Sequence, residues 1–191
     1  MKTKDKIINT SIQLFNQFGT SSISTNHIAK STGISPGNLY YYFKNKEEII
    51  RAIFEKMICV WDKLWLPPAD WKPGLIDFKN IIKQSLHLEW EYRFFQRELI
   101  TLIKLDEELK NRHQQIQLER MNEQKKLFQL FINEKIIKQP DDIDSLLTTC
   151  WIISNYWISF LESRGEVINE KKMEHGIELI MVVIKPYIIN N

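Results

Sequence analysis

Apolar side chains recur along this chain at steps of three and four residues, the spacing of a helix with one buried face. Ile7, Ile8, Ile12, Leu14, Phe15 and Phe18 set the pattern first, so residues 3 to 18 are predicted to form an amphipathic helix ended by Gly19. Ser24 then offers an N-cap, Ile23 and Ile28 are spaced as a hydrophobic staple, and Gly33 stands where a left-handed helix end is wanted. That predicts a second helix of about two turns. Ser35 repeats the device before Pro36 at a first helical position, with Ile34 and Leu39 as the next staple, and starts a third short helix.

From Lys46 a longer pattern of Ile49, Ile50, Ile53, Phe54, Met57, Trp61 and Leu64 runs up to Pro67-Pro68, which stops a fourth, connecting helix. Further helices are expected near 75–91, 93–104, 107–136, 142–164 and 170–188, separated at Pro73-Gly74, at Gln139-Pro140-Asp141 and at Arg164-Gly165. Strand alternation nowhere competes. The expected fold is therefore all-α, with a three-helix head in residues 1–46, a connecting helix in 46–66 and a helical body in 67–191. With no repeat, low-complexity tract or long linker, the eight or nine helices are expected to pack as one continuous body.

Composition narrows the class. The 191 residues are 43% hydrophobic and 12% aromatic, with six Trp, enough to bury a sizeable core and too apolar for a disordered chain. Net charge is +2, but residues 1–46 hold six Lys against Asp5 alone, leaving twenty basic and twenty-three acidic residues beyond. The basic start suits a phosphate backbone, and an ordinary solvated face would look similar. Cys59 and Cys150 match no ligand spacing and are expected to be reduced core thiols. The start of the chain lacks the features of a signal peptide, which points to a cytoplasmic protein. The most apolar run, residues 145–161, contains Thr148, Thr149, Ser154, Asn155 and Ser159 and falls short of the roughly 20 residues that span a bilayer, so a buried helix and no membrane partner are expected.

Two short helices joined by a Gly-containing turn inside a basic segment are what a helix-turn-helix requires: the second helix enters the major groove of double-stranded DNA while the first braces it. Ala29 lets the two helices cross closely, and Ile28, Ile34 and Leu39 would form the core between them. Ser24 and Thr25 stand at a helix N-terminus, where they cap and where nearby amides welcome a phosphate. Asn26 and His27 are weaker backbone candidates. In the third helix Ser35, Pro36, Gly37 and Asn38 form the leading turn, which faces base edges in this motif. Gly37 allows close approach, Pro36 offers apolar contact to a thymine methyl, and Asn38 can bond adenine in a bidentate pair. Tyr40, Tyr41 and Tyr42 are consecutive and cannot share one face, so their roles must differ; either all reach the groove region or one packs inside, beside Phe43. Lys46 is either an exposed helix start or a phosphate clamp.

The segment SISTNHIAKSTGISPGNLYYYFKNKEEIIRAIF closely resembles the DNA-binding region of the TetR/AcrR family of regulators over about residues 5–56, with Gly33-Ile34-Ser35, Leu39-Tyr40 and Phe43-Lys44-Asn45-Lys46 following the family signature. The resemblance implies that Tyr40 and Lys46 touch phosphates and that Tyr41 and Tyr42 lie at or beside the groove. It also implies a C-terminal ligand-binding and dimerisation domain, with the last two helices meeting their copies across a twofold axis as a four-helix bundle. Reading a (pseudo)palindromic operator as a homodimer, and releasing it when a small effector binds, is the implied function.

The apolar faces beyond residue 142 agree with a large buried surface, internal or intermolecular. Aromatics crowd the middle of the chain, and Trp65, Trp90, Phe94, Arg97, Phe128, Trp151 and Asn155 are the pocket candidates for a small apolar or aromatic effector. A rival reading keeps the DNA-binding head and makes the body a module regulated by a partner protein. A helical-bundle enzyme is the other rival, yet the chain has no Glu-x-x-His pair, nucleophile elbow, phosphate loop or dinucleotide fingerprint. His87 and Glu91, four apart on one face, read as a surface pair, and no cofactor or metal is called for.

Overall fold

The structure is a computed structural model that describes residues 2–65 and 70–189. Among them nine α-helices form: α1 (Thr3–Phe18), α2 (Thr25–Thr32), α3 (Pro36–Tyr42), α4 (Lys46–Trp65), α5 (Leu75–Glu91), α6 (Arg93–Leu105), α7 (Glu107–Asn133), α8 (Ile143–Ser163) and α9 (Glu170–Ile184), followed by a single 3-10 turn. None is long and apolar enough to cross a membrane. The stop assigned to Pro67-Pro68 lies outside the described residues.

Instead of one continuous body, the chain folds as two compact units: residues 1–60 with 91–112, and residues 61–90 with 113–191. Packing therefore does not follow chain order at residue 46. The segment containing α6 joins α1–α3 because its apolar face carries Tyr92, Phe94 and Phe95, each buried to within 1% of complete. Phe94 lies 5.2 Å from Phe15, and Phe95 stacks on Phe54 at 5.0 Å. Fully burying one such side chain contributes about 1.5–3 kcal/mol, so these rings anchor α6 to the first unit. Polar bonds fix the register: Asn16 Nδ2 donates to the carbonyl of Glu91 at 2.7 Å and its Oδ1 accepts from the Phe94 amide at 3.0 Å.

The second unit packs Phe78, Ile82 and Leu86 of α5 against Leu127, Phe128 and Phe131 of α7, Leu146 and Leu147 of α8, and Ile180 and Ile184 of α9. α8 and α9 approach closely at Gly176, where a Cβ would stand 2.6 Å from the Trp157 ring. Two expected helix ends move. The 107–136 helix stops at Asn133, Lys135 turns through a positive φ of 57°, and the fully buried Ile137 bridges to Ile188. Keeping Ile137 in the core requires the chain to leave the helix. The 170–188 helix gives way at Ile184 to the 3-10 turn holding Pro186, whose ring cannot continue an α-helix.

Two burial expectations are also corrected. Cys59 is exposed and Cys150 half-buried, both free, so only the latter approaches a core thiol. α8 is not buried all round, because Ile152, Tyr156 and Phe160 form a stripe 54%, 51% and 49% exposed at four-residue steps.

Candidate nucleic-acid interface and ligand cavity

The head is built by caps. Ser24 Oγ accepts from the His27 amide at 3.3 Å while His27 Nδ1 accepts from the Ser24 amide, a reciprocal box that uses His where Glu is usual. At the other end of α2, Gly33 adopts φ 75°, ψ 35°, and the amides of Gly33 and Ile34 close on the carbonyls of Lys30 and Ala29 at 3.1 and 3.0 Å. This Schellman closure needs a left-handed residue, which glycine takes without a Cβ clash. One residue later Ser35 caps α3 by accepting from the Asn38 amide at 3.2 Å, with Pro36 at the first helical position.

The result is a three-residue turn, Gly33 to Ser35, between two helices whose contact is sealed by Ile28, Ala29 and Leu39, all at most 1% exposed. With Leu39 and Phe43 inward, the leading turn of α3 faces outward: Pro36, Gly37 and Asn38 are exposed. The three tyrosines do differ. Tyr40 is 49% and Tyr41 82% exposed, while Tyr42 is half-buried with its ring edge-on to Tyr41 at 5.1 Å.

The structure brings the first turn of α2 and the middle of α3 together through a 3.0 Å hydrogen bond between the hydroxyls of Thr25 and Tyr40. Ser24 and Asn26 are exposed beside it. Lys46, half-buried at the start of α4, donates from Nζ to the Thr20 carbonyl at 2.6 Å; two further N–H groups of the ammonium remain as possible donors. Thr20 is held in turn by Glu98 of α6, which accepts from the Thr20 amide at 2.9 Å and from its hydroxyl. Sequence reasoning missed Glu98 and Asn16 because each acts across more than seventy residues of chain. Asn16 did carry a signal, as a polar residue directly after Phe15 on the buried side of α1.

In the second unit a cavity of about 70 Å³ is bounded by α4, α5, α7, α8 and α9, with Trp61, Phe78, Cys150 and Ser154 in its wall. Of the residues expected to line a pocket, Phe128, Trp151 and Asn155 do so. Trp90 instead lines a second, larger hollow of about 380 Å³ with Lys83, His87 and Glu174. Phe94 and Arg97 line neither. Phe94 is fully buried against Phe15, and Arg97 donates to the Asn16 carbonyl at 3.2 Å, so both are structural in the first unit. The side chain of Trp65 lies outside the described residues. Burial pushes the Cys150 thiol up to about 11, which keeps it neutral at physiological pH. Among the described residues no three His, Cys, Asp or Glu side chains converge as a metal site.

A capped two-helix motif presenting an exposed, Gly-containing leading turn defines the helix-turn-helix class of nucleic-acid-binding proteins. The family model for bacterial regulatory proteins of the tetR family matches residues 7–53, and the TetR bacterial transcriptional repressor model matches 62–191. A TetR-family transcriptional regulator from Marinobacter aquaeolei VT8 is 32% identical, with a TM-score of 0.89 over 99% of this chain and 92% of that one. The chain belongs to the TetR family of bacterial transcriptional regulators. Its head is similar to that of the HTH-type transcriptional regulator QacR of Staphylococcus aureus, 37% identical over 65 residues, which make up 34% of this chain and 35% of QacR. The chain spans about a third or less of the length of the curated relatives it matches. The fold is shared with SmeT, solved as a complex with triclosan, at 13% identity and a TM-score of 0.70 over 99% of this chain and 93% of that one.

Proposed function

We propose that the protein is a cytoplasmic, homodimeric repressor that reads a (pseudo)palindromic operator with α3 of each protomer and lets go when a small apolar or aromatic effector enters the 70 Å³ cavity. In this reading residues 1–46 bind DNA, 46–66 connect, and 67–191 regulate and dimerise. The observation that carries it is the exposed leading turn of α3, fixed on a buried Leu39. Asn38 pairs with an adenine, Pro36 and Gly37 lie against base edges, and Ser35 holds the turn. Ser24, Thr25 and Asn26 meet the backbone at α2. Tyr40, positioned by Thr25, and Lys46, positioned by Thr20, bond phosphates, with Tyr41 and Tyr42 at the groove wall.

Dimerisation through α8 and α9 is supported by the exposed stripe of Ile152, Tyr156 and Phe160 and by Val182 of α9, 66% exposed. A solvent-facing apolar stripe on two neighbouring helices is the surface a self-complementary interface covers. Effector control is supported by the apolar cavity, and SmeT offers a precedent in fold for holding a small aromatic molecule. Trp61, in the cavity wall, belongs to α4, the helix that begins at Lys46. An effector that favours a different setting of α4 thereby favours a dimer whose two heads no longer match successive grooves.

The test is fluorescence anisotropy of the full chain with duplex from upstream of its own gene against a scrambled duplex, over a salt series. Preference of roughly a thousandfold for the native duplex, a steep salt slope and loss of preference on Asn38→Ala are expected. Equal binding of both duplexes, or none at low salt, overturns the reading.

A further inference from the structure

The wall of the cavity contains no Asp, Glu, Lys, Arg or His among the described residues. Its polar members are Ser85, Gln124, Cys150, Ser154 and Asn155. Ser85 Oγ already donates to the Ile81 carbonyl at 2.8 Å, and Asn155 Nδ2 donates to the Trp151 carbonyl at 2.9 Å. Ser154 differs: its Oγ is buried and has no hydrogen-bond partner. A serine in a helix can ordinarily satisfy itself on a carbonyl four residues back; the Ser154 hydroxyl makes no such bond and is closed off from water, so it meets a ligand once the wall yields. A charged ligand, by contrast, would be stripped of water and meet no counter-charge, which is the costliest transfer a protein interior can impose.

Resting on the effector reading above, we propose that the cavity selects an electrically neutral, apolar ligand and anchors it by one hydrogen bond to Ser154. Cations and anions of the same shape are excluded. The cavity of about 70 Å³ is narrower than the roughly 150 Å³ that holds a benzene ring in an engineered core, so a bound ring must displace a wall side chain. Trp61 is placed to report this. Its ring carries the Arg120 guanidinium of α7 at 4.7 Å, and Arg120 reaches Asp62 of α4 at 3.7 Å, so movement of the indole alters an ion pair that joins α7 to α4.

The test uses four probes of one shape on the full chain at pH 7: toluene, benzyl alcohol, benzylammonium and benzoate, with affinity read by calorimetry and by tryptophan fluorescence. The neutral pair is expected to bind at least tenfold more tightly than either ion, with a fluorescence change that Trp61→Phe diminishes. Ser154→Ala removes one oxygen without changing shape, and should lower the ratio of toluene to benzyl alcohol dissociation constants at least threefold. An ion bound as tightly as the neutral probes overturns the selectivity; an unchanged ratio in Ser154→Ala overturns the anchor. Failure of every probe overturns the cavity as effector site, whereas the regulator reading itself stands or falls separately on the duplex preference.

Discussion

The two compact units solve opposite problems. In the head, the caps and the contacts between helices are paired, Ser24 with His27, Ser35 with Asn38, Thr25 with Tyr40, Asn16 with the chain at Glu91 and Phe94, and Thr20 with Glu98, while the buried Thr32 hydroxyl of α2 has no partner. In the body, an apolar cavity, a partnerless Ser154 and an exposed stripe on α8 are left for something else to complete. A surface that must meet DNA in one geometry gains from rigidity, since every contact made by a pre-set side chain avoids an ordering cost. A sensor needs surface whose completion depends on what is bound, because only a differential interaction moves an equilibrium.

The largest effect that would break this contrast is expected from Leu39→Ala. Removing a fully buried side chain from the junction of α2 and α3 should cost about 2–5 kcal/mol in urea unfolding and abolish duplex binding. Next, Ile152→Glu places an uncompensated charge on the α8 stripe of both copies; light scattering should show dissociation, with the association weakened by about 2 kcal/mol or more. Asn38→Ala touches the reading face alone, so its melting temperature should match the parent while operator affinity falls by about 1–3 kcal/mol. Ser24→Ala, which deletes a cap and leaves the buried face intact, should cost about 1 kcal/mol of stability.

The smallest expected effect is a pH dependence in the body. His113 is 9% exposed and its imidazole is held below the usual range, first by burial and then by the nearby Arg120 charge. The folded state therefore binds this proton less readily than the unfolded chain. Stability from the neutral imidazole is complete above the unfolded value of about 6.5 and is lost as pH falls through the lower folded value. A urea midpoint that drops below pH 6.5 in the parent and drops less in His113→Gln is the expected outcome; equal slopes would remove His113 from the acid response.

The same contrast explains what could be read from the chain alone. The head is legible because its signals are local: Ser24, Gly33, Ser35 and Pro36 each fix a helix end through atoms within a few residues, and the structure puts those ends where the signals stand. Phe94 and Arg97 are harder to place, because helical spacing reports a buried face without reporting what it is buried against. α6 turned out to pack on α1, an outcome fixed by Phe15, Asn16 and Glu98 acting across some eighty residues. The apolar pattern runs past the end of α7 at Asn133 because Ile137 continues it while serving as the bridge to Ile188. Phe128, Trp151 and Asn155 were found at the cavity, but its neutrality depends on which side chains five helices bring together.

Hydroxyl-radical footprinting of the selected operator tests the central claim most directly, because it reads the number and spacing of heads on DNA. Two protected patches on one face of the duplex, centred about 34–36 Å apart or a multiple of that, are predicted, and both should weaken together in Asn38→Ala. A single patch, or two patches unaffected by Asn38→Ala, would contradict recognition of the operator by a pair of α3 helices.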